Sequence, residues 1–417
     1  MEAGERVRIT TKNGLEYVGT LLPGKGLVIK LDDGYNVGIA ERNVKTKEPL
    51  GVASKEADNK TSVEKNKELP LVMILHTGGT IASKVDYSTG GTSNLFDPEE
   101  ILSMYPELQK VARVEARFVA NMSSDDMRFA HYNILANAVK DSLQERPTGI
   151  IITQGTDTLH YTSAALHYAL RNIHVPVVVL GSQRSSDRAS SDAASNLMGA
   201  VRFITSLRRP GVFVAMHEGS GDETIAIYRG INCRKNHSSR RDAFRPVNIP
   251  QVARVTKERA EMLCEPPKNN GVFSVEEFHT DIKVGLCYVH PNMSLEELKV
   301  YDNFDGLVII GTGLGHAPIN VTDEHTKVHE ENYSIISSLT KKMPVVMATQ
   351  CINGRVNMQV YSAGRKLIDA GVRGQDMALS PETLFTKLAW LVSNNKSADE
   401  LTTDYGDLVD RVEEQAY

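Results

Sequence analysis

The chain has 417 residues, two or three domains' worth by ordinary domain sizes rather than one core. Hydrophobic residues make up 41% and charged residues 24%, a globular mixture that excludes a mostly disordered, collagenous or disulfide-scaffold protein. The formal charge of −5 argues against a nucleic-acid binder working through its overall field, and no run of about 18 apolar residues is present to cross a membrane.

From about Glu5 to Val44 short apolar-polar alternations (RVRIT, YVGTLL, LVIKL, YNVGIA) are separated by turn residues such as Lys12-Asn13-Gly14 and Asp32-Asp33-Gly34. That pattern predicts antiparallel strands and a small all-β barrel over 1–47, of a size suited to docking rather than catalysis. Charges at Glu2, Glu5, Arg6 and Arg8 take the place of a signal peptide's apolar core, so a cytoplasmic location is expected. From about Lys45 the composition turns charged and poor in large apolar groups (VASKEADNKTSVEKNKE), which predicts a linker, bounded at 48–69.

Beyond Pro70 the rhythm changes. LVMILHT, GIIIT, VPVVVLG and GVFVAM are nearly continuous β-branched runs of the kind buried on both faces of a parallel sheet. TLHYTSAALHYALRNI and DAASNLMGAVRFITSLRR lie between them with helical spacing, so 70–265 reads as a larger, doubly wound α/β domain with ligands expected at the strands' carboxyl ends. A strandless stretch around 246 to 281 precedes VGLCYV, GLVIIG, PVVMAT and the helical PETLFTKLAWLVSNN, which make a smaller α/β domain over 266–417. Its tail from Ser397 to Tyr417 reads as helical and acidic, without chemistry of its own.

Cys233, Cys264, Cys287 and Cys351 follow no Cys-x-x-Cys spacing and read as buried thiols in a reducing compartment. His325 and His329 would share a helical face, but without the intervening Glu of a zinc-protease helix they read as a solvated polar helix. No metal site is expected. Gly311-Thr312-Gly313-Leu314-Gly315-His316 follows a strand but lacks the third glycine spacing and the acidic ribose partner of a dinucleotide loop.

Two strand ends carry chemistry. The first apolar run empties into His76-Thr77-Gly78-Gly79-Thr80-Ile81-Ala82, where two glycines permit a tight turn and let backbone N–H groups approach a ligand while threonines offer hydroxyls. The second empties into Thr153-Gln154-Gly155-Thr156-Asp157-Thr158, a glycine turn with hydroxyls and a carboxylate. Neighbouring strand ends converge in a doubly wound sheet, so the two turns are expected in one cleft. A threonine is a weak nucleophile unless a base takes its proton, and a lysine can help to supply that base. Asp157 also suits a helix N-cap.

TGGTIA after a first strand and GTDT after a later one resemble the two signatures of the bacterial-type L-asparaginase family, over roughly 70 to 395. The resemblance implies an acyl-enzyme at Thr80, with Thr156 and Asp157 as the Thr-Asp of the second motif and a basic residue from INCRKNHSSRRDAFRP, where spacing back from Asp242-Ala243-Phe244 favours Lys235 over the neighbouring Arg234. It further implies that Ser124 binds the substrate α-carboxylate, with Asp125 beside it where some members have an amide. A carboxylate there repels the substrate unless it points away. Gly79 is implied to approach the substrate. SKVDYSTGGTSNLF, with Tyr87 and the hinge glycines Gly90 and Gly91, resembles the family's mobile lid.

With the amino-terminal module containing GYNVGIA and the charged linker, the whole chain resembles the GatD family of archaeal glutamyl-tRNA(Gln) amidotransferases. That resemblance implies ammonia release from asparagine or glutamine and its transfer to a GatE-type subunit. It places ATP and Mg in that partner and no cofactor in this chain, and it brings Glu-tRNA(Gln) to the complex. A homodimer within a heterotetramer is implied, because the small domain, to which the glycine turn at Gly311 belongs, can complete a neighbour's site. The run Arg234, Lys235, Arg240, Arg241 and Arg245 is expected to pack against acidic neighbours rather than RNA. The rival expectations are a stand-alone cytosolic L-asparaginase and a non-enzymatic RNA-binding scaffold.

Overall fold

Period-two alternation puts Val7, Ile9, Leu27, Ile29 and Ile39 on one face of the first sheet, where they close a small core of their own. The computed structural model describes residues 4–23, 26–31, 36–52, 67–79, 84–85, 92–93, 105–186, 190–267 and 271–407. Strands β1 (Glu5–Thr11), β2 (Glu16–Leu21), β3 (Leu27–Leu31), β4 (Asn36–Ile39) and β5 (Val44–Val52) pair antiparallel in the order β4-β3-β2-β1-β5. The expected all-β module is thus present as a five-stranded antiparallel sheet, in which no pairing of β4 with β5 is seen among the described residues. Strand β5 also corrects the start of the expected linker. Its Lys45, Lys47 and Pro49 give it a linker's composition, but they are the residue types that guard an exposed sheet edge against further pairing.

The large domain contains β6 (Leu71–His76), β7 (Arg113–Phe118), helix α1 (Phe129–Ser142), β8 (Gly149–Thr153), α2 (Leu159–Ala169), β9 (Pro176–Leu180), α3 (Ala193–Leu207) and β10 (Gly211–His217). Strands β11 (Ile225–Arg229), β12 (Cys233–Lys235), β13 (Phe244–Pro246), β14 (Ala253–Val255) and β15 (Ala260–Met262) follow. One eight-stranded sheet runs β15-β14-β11-β10-β9-β8-β6-β7, parallel from β10 to β7 and antiparallel from β10 to β15. The stretch read as strandless therefore supplies β14 and β15, too short and too charged to register as apolar runs. Leu71, Met73 and Leu75 of β6 face the core shared with α1 and α2, while Val72 and Ile74 face the core shared with α3. Helices on both faces explain why β6 reads as an unbroken apolar run.

The small domain stacks β16 (Val284–Tyr288), β17 (Gly306–Gly311) and β18 (Val345–Thr349) in parallel with α4 (Leu295–Lys299), α5 (Val328–Leu339), α6 (Ser362–Asp369) and α7 (Pro381–Ser393). Helix α7 is buried from both sides. Its Leu388 lies against Gly306 of the small sheet, and its Trp390 stacks 5.5 Å from Tyr168 of α2. Both domains therefore share one apolar core.

The tail differs from its expectation. Only Ala398–Thr402 forms a short 3-10 turn among its described residues, and the chain then crosses to bury Asp407. Asp407 accepts from Tyr168 Oη at 2.6 Å and from the buried Lys387 Nζ at 2.8 Å, which pins the tail to α2 and α7 together. Of the cysteines, Cys233 and Cys287 are buried, Cys264 is half-buried and Cys351 is exposed, a partial correction. His325 and His329 do not share a helix face: His325 lies in a 3-10 turn capped by Asp323, and His329 is the second residue of α5. Among the described residues no cluster of three His, Cys, Asp or Glu is arranged to hold a metal, and no helix is long and apolar enough to cross a membrane.

Candidate functional site

Strand order reverses between β6 and β8: from β6 the chain steps out to β7, then returns over β6 to enter β8. Such a reversal opens a crevice at the strands' carboxyl ends, where loops on either side diverge. The two glycine turns emerge there. Gly78 and Gly79 follow β6 with φ of +99° and +86°, left-handed values that a side chain resists. Space forbids one as well, since a Cβ on Gly79 would drive into the backbone N of Gly155, and one on Gly78 would come within 2.9 Å of Met122 N. The turns after β6, β7 and β8 are thus interlocked backbone to backbone.

The β6 end is fixed by its neighbour. His76 Nδ1 lies 2.7 Å from Thr153 Oγ1, and Thr77 Oγ1 donates to Thr153 O at 2.9 Å. Burial lowers the His76 pKa from 6.5 to about 4, so the ring is neutral near neutral pH. The residue that follows this turn, Thr80, lies outside the described residues, as do Tyr87, Gly90 and Gly91. Of the lid-like segment only the antiparallel two-residue strands Lys84–Val85 and Thr92–Ser93 are described.

On the β8 side the expected residues meet. Lys235 Nζ donates to Thr156 Oγ1 at 2.8 Å and to Asp157 Oδ1 at 2.7 Å. Thr156 is buried and the Lys235 side chain is 8% exposed, whereas the Asp157 carboxylate is 64% exposed and reaches the amine from the solvent side. Asp157 is not the helix cap: α2 begins after Thr158, whose hydroxyl donates instead to Ser124 O at 2.6 Å. Ser124 is buried beside this turn, and a Cβ on Gly155 would stand 3.1 Å from its Oγ. Asp125 is exposed in the 3-10 turn Ser124–Asp126. The geometry therefore joins Gly79, Ser124, Thr156, Asp157 and Lys235.

Lys235 arrives from 79 residues along the chain because β12 and β13 form a hairpin in which it pairs with Phe244. The surrounding basic run is neutralised locally. Arg240 and Arg245 both bond Asp242, at 2.7 and 2.6 Å, Arg241 bonds Asp222, and Arg234 bonds Glu382 at 2.8 Å.

Three neighbours escape a reading of the sequence. His160, the second residue of α2, is held neutral by burial with its pKa lowered to about 4, and its Nδ1 has no partner among the described residues. Gln154 is wholly buried, and neither polar atom of its amide has a partner among them. Glu382 comes from the small domain's α7. Histidine four residues after the Gly-Thr turn was a visible signal for the first; nothing local distinguishes the other two.

A lysine amine bridging a buried threonine hydroxyl and a carboxylate, beside a backbone turn too tight for side chains, is suited to moving a proton at an acyl centre. Comparisons agree in kind. The family described as "Asparaginase, N-terminal" matches residues 71–268, "Glutaminase/Asparaginase C-terminal domain" matches 283–403 and "GatD N-terminal domain" matches 1–47. The D-type component of glutamyl-tRNA(Gln) amidotransferase from Pyrococcus abyssi is 39% identical over 416 residues, 96% of this chain and 92% of the relative. That of Pyrococcus furiosus is 38% identical over the same shares. The thermostable L-asparaginase from Thermococcus kodakarensis superposes with a TM-score of 0.70 at 30% identity, spanning 81% of this chain and 99% of its own.

Proposed function

We infer, for a chain that belongs to the GatD family of glutamyl-tRNA(Gln) amidotransferases, that it is the ammonia-releasing amidohydrolase of a transamidation complex. The observation that carries this reading is the Lys235-Thr156-Asp157 array at the sheet's switch point, interlocked with the turn that leads into Thr80.

In this reading Thr80 attacks the side-chain amide carbon of asparagine or glutamine. Its hydroxyl proton passes to the leaving nitrogen, the C–N bond breaks, and ammonia departs from an ester on Thr80. Water then cleaves the ester, activated through Thr156 and Lys235 with Asp157 orienting the amine, and frees the acid and Thr80. Backbone N–H groups at the Gly78-Gly79 turn hold the developing oxyanion, and Ser124 takes the α-carboxylate. The exposed Asp125 contributes by staying clear of that carboxylate.

A GatE-type partner receives the ammonia and, with ATP and Mg2+, amidates the glutamate of Glu-tRNA(Gln). The chain works as a homodimer within a heterotetramer. The asparaginase fold accounts for 81% of the chain, and the amino-terminal sheet is what a stand-alone asparaginase does not require. Ammonia release from asparagine and from glutamine, measured with and without the partner and Glu-tRNA(Gln), tests this. Release stimulated by the complex is expected. Full activity of the chain alone, indifferent to partner and tRNA, would favour the stand-alone enzyme.

A further inference from the structure

Neighbouring side chains on a strand leave opposite faces, and β12 uses that alternation to face two domains at once. Cys233 and Lys235 turn toward the large domain, where Cys233 enters the core and Lys235 reaches Thr156 and Asp157. Arg234, between them, donates from Nη2 to Glu382 Oε1 at 2.8 Å. Glu382 is the second residue of α7, in the small domain.

Glutamate in a helix's first turn is ordinarily a solvent-exposed complement to the helix dipole. Glu382 is instead 7% exposed, and its Oε2 is buried with no partner among the described residues. A buried carboxylate with one half unsatisfied is a poor source of stability compared with an apolar residue of the same volume. What it supplies is a fixed distance between α7 and the strand that carries Lys235. The small domain grips the same hairpin at two further points. Thr383 Oγ1 donates to Ile231 O at 2.9 Å, just before β12, while Asn248, just after β13, donates to Gly354 O at 3.0 Å and accepts from Gly354 N at 2.7 Å.

We propose that Arg234 and Glu382 form a positioning pair that sets the reach of Lys235, so that the small domain controls the geometry of the chemistry in the large one. The proposal rests on the reading of Lys235 as part of an amidase site.

The test uses the chain in complex with its GatE-type partner. Glu382→Gln removes the charge without changing the volume, and Arg234→Lys keeps the charge on a shorter arm. For Glu382→Gln, kcat for ammonia release from asparagine is expected to fall about tenfold or more with KM within about twofold, because sub-ångström misplacement acts on the transition state. Arg234→Lys is expected to retain part of the activity. If Glu382 acts through Lys235, Glu382→Gln has no further effect once Lys235→Ala is present. A parental kcat in Glu382→Gln, or the same fractional loss in the Lys235→Ala background, overturns the proposal.

A crystal structure of the Glu382→Gln chain reads the same claim without activity. Lys235 Nζ is expected beyond roughly 3.5 Å from Thr156 Oγ1, outside hydrogen-bond range. An unmoved Nζ overturns the positioning role, while a parent complex that releases no ammonia overturns only the amidase reading.

Discussion

Two strand ends in this chain carry the same kind of glycine turn and come to different things. After β8, Gln154-Gly155-Thr156-Asp157 lies at the reversal of strand order, is crowded by the Gly78-Gly79 turn, and receives Lys235 from a distant hairpin. After β17, Gly311-Thr312-Gly313 closes on itself: Thr312 N donates to His316 O at 3.0 Å and Gly315 N to Thr312 O at 2.9 Å. Glycine and threonine at a strand end therefore do not make a reactive site by themselves. The difference lies in the crevice opened by the sheet's topology and in a cation delivered from elsewhere.

Removing the Lys235 amine is expected to have the largest effect. Lys235→Ala is expected to lower kcat/KM for ammonia release at least about a thousandfold while leaving the fold intact, checked by steady-state assay alongside thermal unfolding. Retained activity would reduce the β8 turn to the standing of the β17 turn.

Acid stability sharpens the contrast next, because the large-domain edge is built on buried imidazoles. Burial holds His76 and His160 at about 4, below the 6.5 of an exposed ring. Between those values the unfolded chain binds more protons than the folded one, so stability is full above about pH 6.5 and falls as the pH drops toward 4. The loss is on the order of 3 kcal/mol per ring. Urea unfolding at pH 7 and pH 4.5 is expected to show it, and His76→Gln to remove part of the slope; a pH-independent midpoint would contradict the burial account.

Ser124→Ala is expected to act on binding, raising KM about tenfold with little change in kcat, as for one lost hydrogen bond to a charged group. A fall in kcat alone would take Ser124 out of the carboxylate-binding role. Thr312→Ala is expected to have the smallest effect, with kcat within about twofold of the parent, since its turn is held by backbone bonds.

The sequence made the β8 turn legible because its parts are local. Glycine marks a tight strand end, a threonine and an aspartate follow at once, and a continuous β-branched run before them announces a parallel strand buried on both faces. The paired charges of the Arg240 to Arg245 loop were legible too, since acidic residues stand close by in the chain. Partners that come from far away were not. Glu382 looks like any first-turn glutamate, and only the packing of α7 across both domains buries it against Arg234. The tail reads as helical and acidic without chemistry because the residues that bury Asp407, Tyr168 and Lys387, lie in two separate helices. Strands β5, β14 and β15 escaped for another reason. They are short or edge elements whose charged residues serve the solvent side, so composition there reports exposure rather than backbone pairing.

Thr80, the residue after Gly79, is proposed to complete the array of Thr156, Asp157 and Lys235, and a crystal structure with aspartate bound would display that array at work. Thr80 Oγ is expected within roughly 3.5 Å of the side-chain carboxyl carbon, with Thr156 Oγ and Lys235 Nζ on the same substrate. A different hydroxyl facing that carbon, with Thr80 turned away from the crevice, would contradict it.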